Sequence, residues 1–305
     1  MQNTDLNAFR DEVRAWLKEN FPGSLANKGD VILETSMEGD GLNDKDAEQW
    51  RQRLAEKGWG APTWPTEYGG AGLSQPEARV IAEEMNKIGA VNPIPMLAGM
   101  GVTMVGPTML EYGTEDQKKR HLPGIASGEI RWCLGLSEPN AGSDLASLTT
   151  RAVDNGDAWI INGQKIWTSG ADRSQWCGAL VRTDPNVKKH NGISFLLLPM
   201  DQPGIQTRPI RLIAGASPFC EVFFNDARAE KDDMLGPMNE GWSVIKRLLQ
   251  HERQSQTSAR GQDGPVAEPL QNIAKRYVGT DDEGRLADRD LRTRLADHLM
   301  DASAH

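Results

Sequence analysis

The sequence predicts an α+β fold in the chain order helix, sheet, helix: a helical stretch over residues 1–128, an antiparallel sheet or small barrel over residues 129–235, and helices again over residues 236–305. Two observations predict it. In the outer stretches apolar residues recur at helical spacing. In the middle, short runs alternate apolar and polar residues, and Asn155-Gly156, Asn162-Gly163 and Asn191-Gly192 fall between them. Asn-Gly between such runs is the strongest local hairpin signal a sequence carries. No internal repeat or low-complexity tract interrupts the order.

Taken in chain order, FRDEVRAWLKENF places Phe9, Val13, Trp16 and Leu17 on one helical face, and DAEQWRQRLAEKGW and EARVIAEEMNKIGA repeat the pattern. Between these helices lies APTWPTEYGGAGLS, residues 61–74, an ordered loop stiffened by Pro62 and Pro65, with Gly69, Gly70 and Gly72 permitting positive φ. It is not a dinucleotide fingerprint, because the G-x-G-x-x-G spacing fails and no apolar strand precedes it. From about Arg131 to Asp232 the runs SLTTRAV, AWIING, QKIWTSG, CGALVRT, ISFLLLPM and FCEVFFNDA predict strands. After GPMNEGW, Trp242, Ile245, Leu248 and Leu249 form one helical stripe, and AEPLQNIAKRY and DLRTRLADHLM predict two further helices.

Composition excludes several functions. A chain of 305 residues holds two or three layers or domains, and its net charge of −9 with no basic stripe argues against a broad nucleic-acid interface. Cys133, Cys177 and Cys220 are odd in number and lack C-x-x-C spacing, so neither a disulfide framework nor a zinc site is supported; they read as small core hydrophobes in a reducing compartment. MQNTDLNAFRDEV has acids early and no apolar core, so no secretory or transit segment is expected, and no stretch is apolar enough to span a bilayer. A soluble, cytoplasmic protein is expected.

Few chemical motifs survive scrutiny. HERQS follows the zinc pattern H-E-x-x-H until Ser255 stands where the second histidine must be. A phosphate loop and a G-x-S-x-G elbow are absent, and the five histidines are scattered, so metal and triad mechanisms are disfavoured. LGLSEPNAGSD, residues 134–144, offers the hydroxyls of Ser137 and Ser143 and a backbone freed by Gly142 for close approach to an anion; the same residues also make ordinary turns. KIWTSG ends a strand at Trp167 with Ser169 following, able to stack an indole on a flat ring, though a core Trp on a strand is commoner. In LLQHERQSQ, Glu252 shares a helical face with Ile245, Leu248 and Leu249, and no Lys or Arg stands three or four residues away. That pattern alone fits a boundary carboxylate reaching water as well as a functional acid.

WCLGLSEPNAGSD, INGQKIWTSGA, CEVFFNDAR and MLGPMNEGW, together with LAEKGWGAPTWPTEYGGAGLS and GTEDQKKRHLPGIASGE, resemble the acyl-CoA dehydrogenase family in order and spacing through nearly the whole chain. The resemblance implies an N-terminal all-helical domain (1–128), a central antiparallel β-barrel (129–235) and a C-terminal helical bundle (236–305) that is incomplete, since relatives continue past DASAH. It implies a flavoprotein oxidoreductase of fatty-acid or lipid metabolism with FAD as cofactor and an acyl-CoA thioester as substrate. Electron-transfer flavoprotein or a similar acceptor, and a homodimer or homotetramer, come with it.

Carried over residue by residue, the resemblance puts Leu134, Leu136 and Ser137 in the stretch that meets the flavin ring. Ser143 falls near the FAD pyrophosphate and the coenzyme A arm, and Gly142 beside it counts among the cofactor-binding residues. Trp167 stands beside the isoalloxazine and Ser169 near its reactive edge. Dehydrogenation needs a base for the α-proton while hydride leaves the β-carbon for flavin N5. Relatives carry that glutamate either late in the C-terminal domain or on its first helix in a motif like L-x-x-E-R. LQHER matches the second arrangement, with Glu252 as the glutamate, and desolvation by its apolar neighbours would make the carboxylate a stronger base. A flavin oxidase or monooxygenase, or a non-catalytic subunit of a mixed oligomer, remain the alternatives. ARGQDGPVAEPLQ offers no clean counterpart of the family's adenine-binding segment, so those contacts are unassigned.

Overall fold

Helix α1 (Leu6–Asn20) begins where the Asp5 carboxylate accepts from the Asn7 and Ala8 amides. The computed structural model describes residues 5–29, 44–261 and 270–304. The face read from the sequence packs inward: Val13 and Leu17 are buried, and Phe9 and Trp16 lie against the same cluster. Helices α2 (Lys45–Glu56) and α3 (Gln75–Lys87) close this core around Trp50, Leu54 and Ile81, α3 starting from a capping box between Ser74 and Glu77. The loop 61–74 is ordered, with Trp64 and Tyr68 buried and Gly69 and Gly72 at φ +87° and +65°. Gly70 departs from expectation, since its φ is not positive; a Cβ there would stand 2.2 Å from the Trp64 carbonyl oxygen. Helix α4 (Ile94–Leu97), a π-helical turn (Gly101–Val105), α5 (Gly106–Tyr112) and α6 (Glu115–Ser127) complete the helical part.

Among the described residues the sheet has seven strands: β1 (Trp132–Gly135), β2 (Arg151–Asp154), β3 (Ala158–Ser169), β4 (Trp176–Arg182), β5 (Ile193–Pro199), β6 (Ile205–Ile210) and β7 (Phe219–Glu230). Their order is β1-β4-β2-β3-β7-β6, with β5 added on β4. The expected antiparallel barrel is therefore corrected twice. β1 and β2 both run parallel to β4, Trp132 opposite Trp176 and Arg151 opposite Arg182, so the sheet is mixed. It also stays open as a curled half-barrel, with β6 an edge among the described strands. Hairpin signals report only sequential neighbours, and the β2–β3 and β4–β5 pairs are indeed antiparallel; partners distant in sequence leave no such local mark.

Asn162-Gly163 is a third correction. It lies inside β3 at a register shift against β7, so AWIING and QKIWTSG form one strand. Gly163 is needed there because a Cβ would come within 2.4 Å of Thr150 Oγ1. SLTTRAV is strand only from Arg151, because the Thr149 and Thr150 amides donate to the Glu138 carboxylate at 2.7 and 2.8 Å instead of to a neighbouring strand. β6 escaped the alternating pattern because it is a partly exposed edge carrying Pro209.

Helix α7 (Gly241–Gly261) buries Val244, Ile245 and Leu248 in one cluster with Met104, Leu122 and Phe195, so its first turns share a core with the N-terminal helices and the sheet. All three cysteines are free and buried. Contacts divide the chain into two units, Met1–Ser258 and Ala259–His305. The second contains α8 (Leu270–Val278), which buries no side chain, and α9 (Arg289–Ala304), with a turn between them held by Arg285 on Asp281 at 2.9 Å. Part of AEPLQNIAKRY and of the unassigned ARGQDGPVAEPLQ segment lies outside the described residues. Among the described residues no helix is long and apolar enough to cross a membrane, and no cluster of His, Cys, Asp and Glu could hold a metal.

Candidate active site

A break in strand register builds the site. Lys165 of β3 pairs with Val222 and Thr168 with Cys220, so Ile166 and Trp167 together oppose Glu221 alone. This is a bulge, and Trp167 sits in it at φ +61°. Consecutive residues of a regular strand point to opposite faces. Here Ile166 and Trp167 border the same cleft. The Ile166 amide donates to the Ser137 carbonyl at 2.9 Å, tying the bulge to the loop that leaves β1.

The cleft, about 180 Å³, draws on four places in the chain. Leu134, Leu136 and Ser137 come from β1 and its loop, Ile166, Trp167 and Ser169 from the bulge, Met100 and Met104 from the π-helical turn and the residue before it, and Glu252 from α7. Six residues named from the sequence thus meet in one place. Gly142 and Ser143 do not border it; both are exposed on the turn beyond Ala141, and a Cβ on Gly142 would touch nothing. Met100, Met104 and Ile166 were missed. Their spacing is that of ordinary core residues, and only the short glycine-punctuated helix around the methionines hinted at irregular backbone, of the kind π-turns bring to functional sites.

Behind the cleft lies a buried ion pair, also missed. Lys165, with no exposed surface, donates from Nζ to Glu138 Oε1 at 2.9 Å and to the Leu136 carbonyl at 3.0 Å. Burial pushes the Glu138 carboxyl up, but the Lys165 ammonium and the donors of Thr150 and Thr149 outweigh it and hold its pKa at about 2. Burial lowers the Lys165 pKa, and Glu138 opposes that without cancelling it. The pair fixes the peptide that presents Leu136 and Ser137 to the cleft. An inward-facing lysine on an alternating strand was the available signal.

Two sequence patterns match this chain: the acyl-CoA dehydrogenase N-terminal domain over residues 3–129 and the acyl-CoA dehydrogenase middle domain over residues 133–227. Acyl-CoA dehydrogenase IpdE1 of Mycobacterium tuberculosis is 42% identical over 282 residues, covering 91% of this chain and 71% of that protein. A solved structure described as the Tcur3481-Tcur3483 steroid ACAD G363A variant superposes with a TM-score of 0.73 at 34% identity, covering 98% of this chain and 73% of that one. The ChsE4-ChsE5 complex of Mycobacterium tuberculosis gives a TM-score of 0.67 at 28% identity, covering 100% of this chain and 74% of the matched chain. The chain belongs to the acyl-CoA dehydrogenase family. It is accordingly a flavoprotein oxidoreductase.

Proposed function

We propose that the protein catalyses FAD-dependent α,β-dehydrogenation of an acyl-CoA thioester to the trans-2-enoyl-CoA. One observation carries this: the Glu252 carboxylate and the Trp167 indole share a cleft with Ser137 and Ser169. The residues fit an isoalloxazine. Trp167 is 54% exposed and held at a left-handed φ that costs a bulky residue about 1 kcal/mol or more, so a flat apolar surface stands uncovered at a strained position beside the cleft. The hydroxyls of Ser137 and Ser169 make no side-chain hydrogen bond among the described residues and are available to a polar ring edge.

In this assignment Leu134, Leu136, Ser137, Trp167 and Ser169 hold the ring. Gly142 and Ser143, on their exposed turn, meet the pyrophosphate, and Ser143 also meets the coenzyme A arm. Bound FAD supplies the acceptor for the hydride that leaves the β-carbon. Glu252 takes the α-proton as the C–H bond breaks and the C=C bond forms. Its half-buried place beside Leu248 lets an entering thioester displace water from the carboxylate. Met100 and Met104 give the acyl group a soft, adaptable wall. The likeness to a steroid ACAD supports steroid-linked acyl groups within the substrate class. Electrons pass on to electron-transfer flavoprotein or a similar acceptor. The working unit is a homodimer or homotetramer, with a mixed oligomer as the other outcome of a mass measurement.

The test is anaerobic mixing of FAD-loaded protein with acyl-CoA esters graded in length, branching and steroid content, followed by the loss of flavin absorbance. Glu252→Gln should keep flavin and ligand binding but reduce flavin about 10²–10⁴-fold more slowly. Reduction at the wild-type rate places the base elsewhere. Rapid oxygen consumption points to an oxidase, and absence of bound flavin to an accessory subunit.

A further inference from the structure

We infer that Glu111, Arg247 and His251 form a positioning clamp that holds α7 against α5 and thereby aims Glu252 into the cleft; this rests on the assignment of Glu252 as the base. Two helical elements contribute to the cleft, the π-helical turn with Met104 and α7 with Glu252. Each also carries one side of a charged cluster. The π-helical turn runs directly into α5, whose last turn holds Glu111. Both Glu111 oxygens accept from Arg247, Oε2 from Nε at 2.7 Å and Oε1 from Nη2 at 2.6 Å. His251 Nε2 lies 3.2 Å from the same Oε1, near enough to pack against the fork but not aligned for a hydrogen bond, so the two Arg247 bonds carry the clamp. Arg247 Nη1 also donates to the Gln250 side chain at 2.8 Å.

The spacing makes the cluster directional. Arg247 and His251 are four residues apart and share one face of α7, while Glu252 is the next residue around the helix. Fixing the face that meets Glu111 therefore fixes the direction of Glu252. Met109 of α5 and Val244 and Leu248 of α7 lie in one apolar cluster, but such burial specifies rotation weakly, because it is non-directional. A two-bond fork between guanidinium and carboxylate is specific in angle. With side chains about 6 Å from the helix axis, a roll of about 10° moves a carboxylate about 1 Å, and a misplacement of about 1 Å can slow a reaction about 10²-fold.

The same cluster contributes little to stability. The Arg247 and Glu111 side chains are 34% and 37% exposed, and exposed ion pairs are weak. This separates positioning from a merely structural role. Glu111→Gln in the FAD-loaded full chain should leave flavin content and KM for an acyl-CoA within about twofold and slow flavin reduction about fivefold, the factor that about 1 kcal/mol of lost orientation allows. Its melting temperature should stay within about 3 °C of wild type, while backbone amides around Leu248–Glu252 exchange hydrogen faster. Arg247→Glu should be equally slow, and the swapped pair Glu111→Arg with Arg247→Glu should recover a substantial part of the rate. Wild-type reduction and exchange in Glu111→Gln would overturn the clamp, as would a loss of rate matched by a large fall in melting temperature. If instead Glu252→Gln reduces flavin normally, the base assignment fails, and the exchange measurement still reports whether the clamp orders α7.

Discussion

Glu138→Gln removes the counter-charge of a fully buried lysine while conserving shape, and its cost can be worked in two ways. Lowering the Glu138 pKa from 4.5 to about 2 corresponds to about 3 kcal/mol at 1.36 kcal/mol per pKa unit. In the variant Lys165 can escape its unpaired state by losing its proton, which from an ordinary value of 10.5 costs at most about 5 kcal/mol at pH 7. Both figures fall in the range of about 3–5 kcal/mol found when one member of a buried pair is removed. For a unit of this size that lowers the melting temperature by roughly 10 °C at pH 7. The variant should also lose flavin sooner, since Lys165 fixes the Leu136 carbonyl beside the cleft. The pH dependence has a definite sign. A depressed carboxyl stabilises the fold above its unfolded pKa and stops doing so as pH falls through the folded value. The gap between wild type and variant should therefore close between about pH 4.5 and 2, and above pH 5 it should narrow only as rising pH makes loss of the Lys165 proton less costly. A difference below about 1 kcal/mol at pH 7, where a buried unpaired charge is expected to cost several times more, would refute the pairing.

Trp167→Ala should weaken FAD retention, read as flavin lost on gel filtration, yet barely change the melting temperature of flavin-free protein, because the side chain is more than half exposed; unchanged flavin occupancy would remove Trp167 from the cofactor wall. His121 packs edge-on to Trp132 and Trp176 at 5.1 and 4.4 Å, and burial, aided by Arg120, lowers its pKa to about 4. The unfolded chain binds the extra proton first, so stability should be full above about pH 6.5 and fall as pH drops toward 4, by about 3 kcal/mol. Urea unfolding across that range checks it, and His121→Phe should flatten that part of the profile.

The sequence by itself determined the helix–sheet–helix order, the buried stripe of α7 and six of the residues later found around the cleft, because periodicity, capping and the matched motifs are local properties. Asn155-Gly156 also marked its hairpin correctly. Tertiary structure alone decided the parallel placement of β1 and β2 on β4, the bulge at Asn162-Gly163 and the open sheet, since each depends on strands distant in the chain. It also decided that Ile166 and Trp167 face the same way, that Lys165 is buried on Glu138, and that Met104 and Glu111 of one helical run meet α7. Gly142 and Ser143, adjacent in sequence to the ring-side residues, stand apart from them for the same reason: a turn closed between Glu138 and Ala141 carries them to the surface. Local spacing fixes which face of an element is apolar, but only packing of remote elements fixes which side chains share a cavity.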